Sequence, residues 1–246
     1  MKGRPLHPLA YTPRVGLAAM KGDVVSIAKT RPVREILKAS RPLLKQALGE
    51  ERSERFQHWA RARIEALEPG APRFHAPMNK MLFGLGVPVL GLYQALREDL
   101  GVEREPALHL LEEMVQSAFH RMYDSPLRGA MTGAFYRMGW FRELMRKWMR
   151  SAQEPNGFHF EVVGRERGED SLIFEVRGCA LLKYFTAHGA PEVVPIFCRL
   201  DELTARYMRG VKLERSGTIA MGAGHCDFRY VSTRNERTNA RRRVLR

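Results

Sequence analysis

PNGFHFEVVGRERGEDSLIFEV, residues 155–176, is where the chain changes character. Pro155-Asn156-Gly157 marks a turn. Phe158 to Val163 then follow a strand-like alternation, the period of a half-buried strand, and Leu172 to Val176, mostly apolar, read as a second strand. GRERGED at 164–170 reads as a hairpin-type connection, so the two strands are expected to pair antiparallel.

Upstream of this stretch the spacing is helical. Residues 32–48 place Val33, Ile36, Leu37, Leu44, Ala47 and Leu48 on a helical repeat, with an interruption expected at Pro42. Residues 51–68 put Phe56, Trp59, Ala60, Ile64 and Leu67 on one face and His58 at the surface. The apolar segment 78–100 reads as two helical pieces broken near Gly86–Pro88. Residues 105–122 open with Glu-Pro, a good first-turn pair, and carry a stripe of Leu108, Leu111, Met114, Val115, Ala118 and Phe119. Residues 127–150 mix Met, aromatic and Arg side chains. Such a mixture can stack on bases, or it can be a long core helix whose Arg stems reach out to water. The helical periodicity, with no aromatic strand platform beside it, favours the core helix.

Downstream, 179–188 and 191–208 read as helices, and Val211–Ala220 and Cys226–Val231 as strands. No internal repeat, parallel βαβ series or GxGxxG loop is present. The expected class is α+β: a helical N-terminal two-thirds packed with a small antiparallel sheet in the C-terminal third. The expected organisation is a basic, partly ordered arm over 1–30, a single domain over 31–233 and an Arg-rich tail over 234–246.

The net charge of +14 is unevenly spread. Residues 1–48 carry +8 and residues 234–246 carry +5, so the body between them is nearly neutral. Basic termini can make weak contacts with an anionic membrane face or nucleic acid, or they can simply be solvated. No zinc-finger spacing or RNP-like strand accompanies them. No apolar run reaches the ~18 residues that span a bilayer, and the N-terminus lacks the apolar core of a secretory signal. Three cysteines without a close CxxC spacing suit a reducing, cytoplasmic setting, with all three reduced.

All three cysteines fall in 178–230, GCALLKYFTAHGAPEVVPIFCRLDELTARYMRGVKLERSGTIAMGAGHCDFRY. Cys198 and Asp201, three apart, share a helix face. Cys226 follows the Gly-rich turn at 221–224 and is flanked by His225 and Asp227. Strand alternation sends Cys226 and Phe228 to one face and Asp227 and Arg229 to the other. If the turn is a pocket rim, His225 or Asp227 can serve Cys226 as base or orienter. Each cysteine can equally be a small buried hydrophobe. Three thiolates with a His or Asp would satisfy tetrahedral zinc, but the gaps of 18 and 27 residues match no zinc module, so neither metal nor organic cofactor is expected.

The order Gly178-Cys179, Phe185, Gly189, Glu192, Cys198, Asp201-Glu202, Leu213, Arg215, Thr218-Ile219-Ala220, Gly222 and Cys226-Asp227-Phe228-Arg229 resembles the L-2-amino-thiazoline-4-carboxylic acid hydrolase family. The likeness runs over roughly 75–230 and includes Leu92-Tyr93 and Ala95-Leu96. It implies a small-molecule substrate and hydrolytic opening of a cyclic, amidine-like thiazoline to an N-carbamoyl cysteine. Such chemistry needs a carboxyl group at the amidine, a nucleophile at the carbon bonded to two nitrogens and sulfur, and a cation for the substrate carboxylate. Asp201 and Asp227 are candidates for the first role. Cys226 or Cys179 is a candidate covalent nucleophile, with Cys198 beside them, or an Asp activates water instead. Arg215 or Arg229 is the candidate carboxylate clamp, with Thr218 nearby. Two other readings stand beside it: a non-hydrolytic biosynthetic relative (lyase, isomerase or cyclase) using the same pocket, or a small-molecule-binding or scaffold module without catalysis, since the outline also resembles vinyl-reductase-type sensor domains. Convergence of Cys179, Cys198, Asp201 and Cys226 on a reachable pocket separates the enzyme readings from the last.

Overall fold

The structure, a computed structural model, describes residues 26–163 and 171–233, apart from the side chains of Pro126 and Arg128. Most of the expected N-terminal arm, the hairpin connection 164–170 and the Arg-rich tail lie outside these described residues. The described end of the arm is packed: Ala28 is buried, and Ser26 Oγ donates to Glu68 Oε1 at 2.6 Å.

Two long helices, α1 (Arg31–Leu48) and α2 (Glu50–Leu67), open the described chain. Pro42 does not interrupt α1. Both Pro42 and Lys38, whose carbonyl loses its donor four residues on, are on the solvent face, where water can replace the missing bond. The buried face of α2 takes Gln57 rather than Trp59. Gln57 Nε2 donates to Leu37 O at 3.0 Å and to Ser40 Oγ at 2.9 Å, so its burial leaves no donor unpaired.

The apolar segment splits as expected into α3 (Pro77–Phe83) and α4 (Gly86–Gln94), which runs on into one π-helical stretch, Ala95–Asp99. Gly91 lets α4 lie directly on α2: a methyl there would stand 2.6 Å from Ile64 Cγ1. Next comes α5 (Arg104–Tyr123), whose Phe119 is only half-buried.

The 127–150 stretch departs from the single core helix. It forms α6 (Pro126–Arg137) and α7 (Gly139–Ser151), broken at Met138. Met145 and Met149 pack inward, but Leu127, Met131, Phe135 and Trp140 are exposed. Glycine explains the placing of α6: at Gly129 and Gly133 any Cβ would collide with the carbonyls of Tyr207 and Arg209. The helix therefore presses its bare glycine side onto the main chain and leaves Leu127, Met131 and Phe135 outside, while Tyr136 turns inward.

The sheet is antiparallel throughout, in the order β1-β2-β4-β3, from β1 (His159–Val162), β2 (Ser171–Gly178), β3 (Val211–Glu214) and β4 (Cys226–Ser232). Between β2 and β3 run α8 (Ala180–Ala187) and α9 (Val194–Tyr207). The expected strand 211–220 stops at Glu214; the chain then turns through one 3-10 turn, Ile219–Met221, closed by Gly222 at φ 94°. Such a left-handed position suits glycine. In the central pair, Val176 stands opposite Cys226 and Phe174 opposite Phe228. These residues face the helices, and their hydrophobic core continues back through α9, α8 and α5 to α1. The observed architecture is α+β, with the helices mostly N-terminal and a four-stranded antiparallel sheet near the C-terminus. Among the described residues, no helix is long and apolar enough to cross a membrane.

Candidate functional site

Alternation along β4 points Cys226, Phe228 and Tyr230 to the inner side of the sheet. Helical spacing along α9 points Cys198, Asp201 and Thr204 the same way, each about one turn from the next. Cys179, at the junction of β2 and α8, completes the set. All seven line one cavity of about 370 Å3, and its walls are otherwise almost wholly apolar and aromatic. Phe174 and Phe228 stack there at 4.9 Å between ring centres, and Phe160 meets Phe174 edge-on at 6.0 Å.

The carboxyl of Asp201 is the charged group of this cavity. Burial pushes its pKa up from 3.8 to about 7; Arg215 draws it down and Glu202 pushes it up. The side chain is 37 % exposed, but that surface opens into the apolar cavity, so burial still dominates. Arg215 approaches from behind the wall. Its guanidinium donates to Asp201 Oδ2 at 3.3 Å, to Cys198 O at 3.0 Å and to Glu202 Oε1 at 2.6 Å. It also lies over the Phe228 ring, 5.3 Å from the centre, and its side chain is only 6 % exposed. Arg215 does not line the cavity.

The three thiols differ in their surroundings. Cys226 Sγ accepts the Ile219 N–H at 3.2 Å. Burial raises its pKa, while that N–H and the Arg215 charge pull it back. Cys179 caps α8, accepting the Leu182 N–H at 3.4 Å. A helix N-terminus favours a thiolate, yet burial wins and lifts Cys179 to about 11. Burial also raises Cys198, against the Thr218 hydroxyl beside it. Thr218 is enclosed, at 1 % exposure, and its oxygen makes no hydrogen bond of regular geometry. None of the thiols is in a disulfide.

The remaining sequence candidates are elsewhere. Asp227 is on the other face of β4 from Cys226. Both its oxygens accept the Ser216 N–H, at 3.0 and 2.9 Å, and Oδ1 accepts the Gly217 N–H at 2.9 Å. Desolvation, which would raise its pKa, is outweighed by these bonds, and the pKa is lowered. Asp227 therefore holds the turn that carries Arg215 and Ile219. His225 Nε2 is 3.6 Å from Glu175 Oε1, and Arg229 Nε is 3.8 Å from Glu214 Oε2. None of these three lines the cavity, so neither His225 nor Asp227 is placed to serve Cys226.

Three cavity phenols, Tyr123, Tyr136 and Tyr230, escaped the sequence reading. Tyr136 and Tyr230 have ring centres 5.4 Å apart. Burial pushes Tyr136 to about 12 and Tyr230 well above its ordinary value, and the Asp201 charge adds to both. The alternation that placed Cys226 and Phe228 extends to Tyr230, so that signal was present. Tyr136 belongs to α6, whose pattern gave no sign of a cavity. One motif residue proves to be a tie: Tyr93 Oη donates to Glu192 Oε1 at 2.8 Å, joining α4 to the turn before α9. Among the described residues, no group of three or more His, Cys, Asp and Glu side chains is placed to hold a metal ion.

No curated protein and no solved structure matches the chain. Residues 89–230, more than half of it, match the sequence model of the family described as L-2-amino-thiazoline-4-carboxylic acid hydrolase. The match runs from α4 to β4 and takes in the three cysteines, Asp201 and Arg215. The chain thus belongs to the L-2-amino-thiazoline-4-carboxylic acid hydrolase family.

Proposed function

We propose that this protein is a hydrolase that opens a small cyclic amidine-like ring of the 2-aminothiazoline type at its C–N/C–S centre. The observation that carries the reading is the convergence of Cys179, Cys198, Cys226 and Asp201 on one cavity. Scattered structural cysteines would not share a cavity wall with a carboxyl group raised to about 7.

In this account Asp201 moves the protons. As a carboxylate it pairs with the protonated amidine and accepts the thiol proton from Cys226. Cys226 is the nucleophile, because the Ile219 N–H and the Arg215 charge favour its thiolate more than the surroundings of Cys179 do. Its sulfur bonds to the ring carbon, and the C=N electron pair moves to nitrogen. The ring C–S bond then breaks, and the leaving sulfur takes the proton from Asp201. Water next adds to the enzyme-bound carbon, giving one proton to the Asp201 carboxylate and the other to the departing Cys226 sulfur, and a urea remains. The Asp201 carboxyl and the Cys226 thiol, with the Ile219 N–H at its sulfur, are the groups that carry both steps.

Incubating the full chain with 2-aminothiazoline-4-carboxylate and with uncharged 2-aminothiazolines, and following gain of one water by mass spectrometry, tests the reading. Ring opening that depends on Asp201 supports it. No opening of any such ring removes it in favour of ligand binding without turnover, a reading that the raised pKa of all three thiols would then favour.

A further inference from the structure

We infer that the ring taken by this protein carries no carboxylate and is instead a neutral or cationic amidine with an apolar or aromatic substituent. This deepens the hydrolase reading and rests on it for the word amidine, but the ligand chemistry is read from the cavity itself.

An α-carboxylate on the substrate would need a cation in reach. Among the described residues lining the cavity there is no Lys, Arg or His. Arg215 is the cation nearest its acidic end, and it is already committed to three acceptors and to the Phe228 face, behind the wall. Freeing it would leave the Asp201 and Glu202 carboxylates and the Cys198 carbonyl without their donor, a costly change in an enclosed place. Arg229, the other expected clamp, is on the far face of the sheet beside Glu214.

Among the described polar groups that face the cavity, Asp201 is the one carboxyl and none is a cation. Asp201, three thiols, Thr204 and the tyrosines offer a carboxyl, weak S–H groups and hydroxyls. A ligand carboxylate would have to leave water and approach Asp201, a like charge, with nothing to balance it. An amidinium finds the opposite: one carboxylate partner and a charge-assisted pair. The aromatic side chains in the cavity wall, Phe158 and Phe160 among them, also favour a cation or a flat ring. The volume of about 370 Å3 exceeds the needs of a bare five-membered ring, being within the roughly 300–1,000 Å3 of sites for larger ligands. The surplus space is apolar, walled by residues such as Met78, Leu85, Met145 and Phe197. Met81, which lines the cavity and is 59 % exposed, makes an apolar entrance.

The test compares 2-aminothiazoline-4-carboxylate with 2-amino-4-phenyl-2-thiazoline on the full chain, by calorimetric titration and by mass spectrometry of the products. The phenyl compound is expected to bind at least ~10-fold tighter, since a buried polar group without its partner discriminates strongly. Asp201→Asn is expected to weaken the phenyl compound and not the carboxylate. Thr204→Arg, which adds a cation one turn from Asp201, is expected to narrow or reverse the preference, and it keeps the question open to test if Asp201→Asn does not fold. Equal or tighter binding of the carboxylate by the wild type overturns the inference, and so does binding of neither compound. Ring opening of the carboxylate alone overturns it while leaving the hydrolase reading intact. Preferred binding of the phenyl compound with no ring opening at all upholds the ligand class and removes the hydrolase reading.

Discussion

Arg215 Nη1 lies 3.3 Å from Asp201 Oδ2, yet it does not hold that carboxyl in the usual acidic range: burial against the cavity outweighs the ion pair and leaves Asp201 titrating near 7. The pair sets the pH at which the site can work. A general base is most useful when its pKa is close to the operating pH. With Asp201 as base, kcat/KM is expected to rise with pH through about 7 and then level. Replacing Arg215 by Met removes the charge that draws Asp201 down, so the rising limb is expected to move to higher pH. A pH–rate profile of the variant checks this, and an unmoved limb would assign the titration to another group.

The same carboxyl should destabilise the fold at alkaline pH. Its folded pKa, about 7, is above the ordinary 3.8, so between these values the folded state binds more protons than the unfolded one. Stability from this group is therefore present below about 4 and is lost as pH rises through about 7. Asp201→Asn is expected to melt at a higher temperature than wild type at pH 8, with the gap closing toward pH 5. Thermal melts at the two pH values measure it; a variant that is less stable than wild type at pH 8 would mean that the bond to Arg215 matters more than the buried charge.

Backbone contact between α6 and the α9–β3 turn yields a prediction about packing alone. Gly133→Ala places a methyl against the Arg209 carbonyl, which cannot move like a flexible side chain. Overpacking of this kind costs about 1–3 kcal/mol. Chemical denaturation should show that loss, whereas Gly70→Ala, with open space around it, should show little.

Local rules carried the sequence reading a long way where one element decided the answer. The alternation at 158–163 and the short apolar run at 172–176 placed β1 and β2, and the i, i+3 spacing put Cys198 and Asp201 on one face of α9. Side-chain alternation also divided Cys226 from Asp227 correctly, and that division is why Asp227 ties a loop instead of facing the cavity. What periodicity could not convey was tertiary. The 127–150 stretch has a helical repeat either way; only the approach of Gly129 and Gly133 to the Tyr207 and Arg209 carbonyls leaves Leu127, Met131 and Phe135 outside while Tyr136, Met145 and Met149 reach the cavity. Likewise, Arg215 is a candidate carboxylate clamp in the sequence, and its three acceptors come from α9, 13 to 17 residues earlier.

The most direct test of the account compares Cys179→Ser, Cys198→Ser and Cys226→Ser for both melting temperature and turnover of a ring the wild type opens. Loss of a nucleophile typically costs a factor of ~100 or more, so Cys226→Ser is expected to lose that much turnover while still melting cooperatively. Cys179→Ser, which alters the cap of α8, is expected to act mainly on stability. A Cys226→Ser protein that melts early but keeps its rate per folded molecule would contradict the account and make Cys226 part of the core.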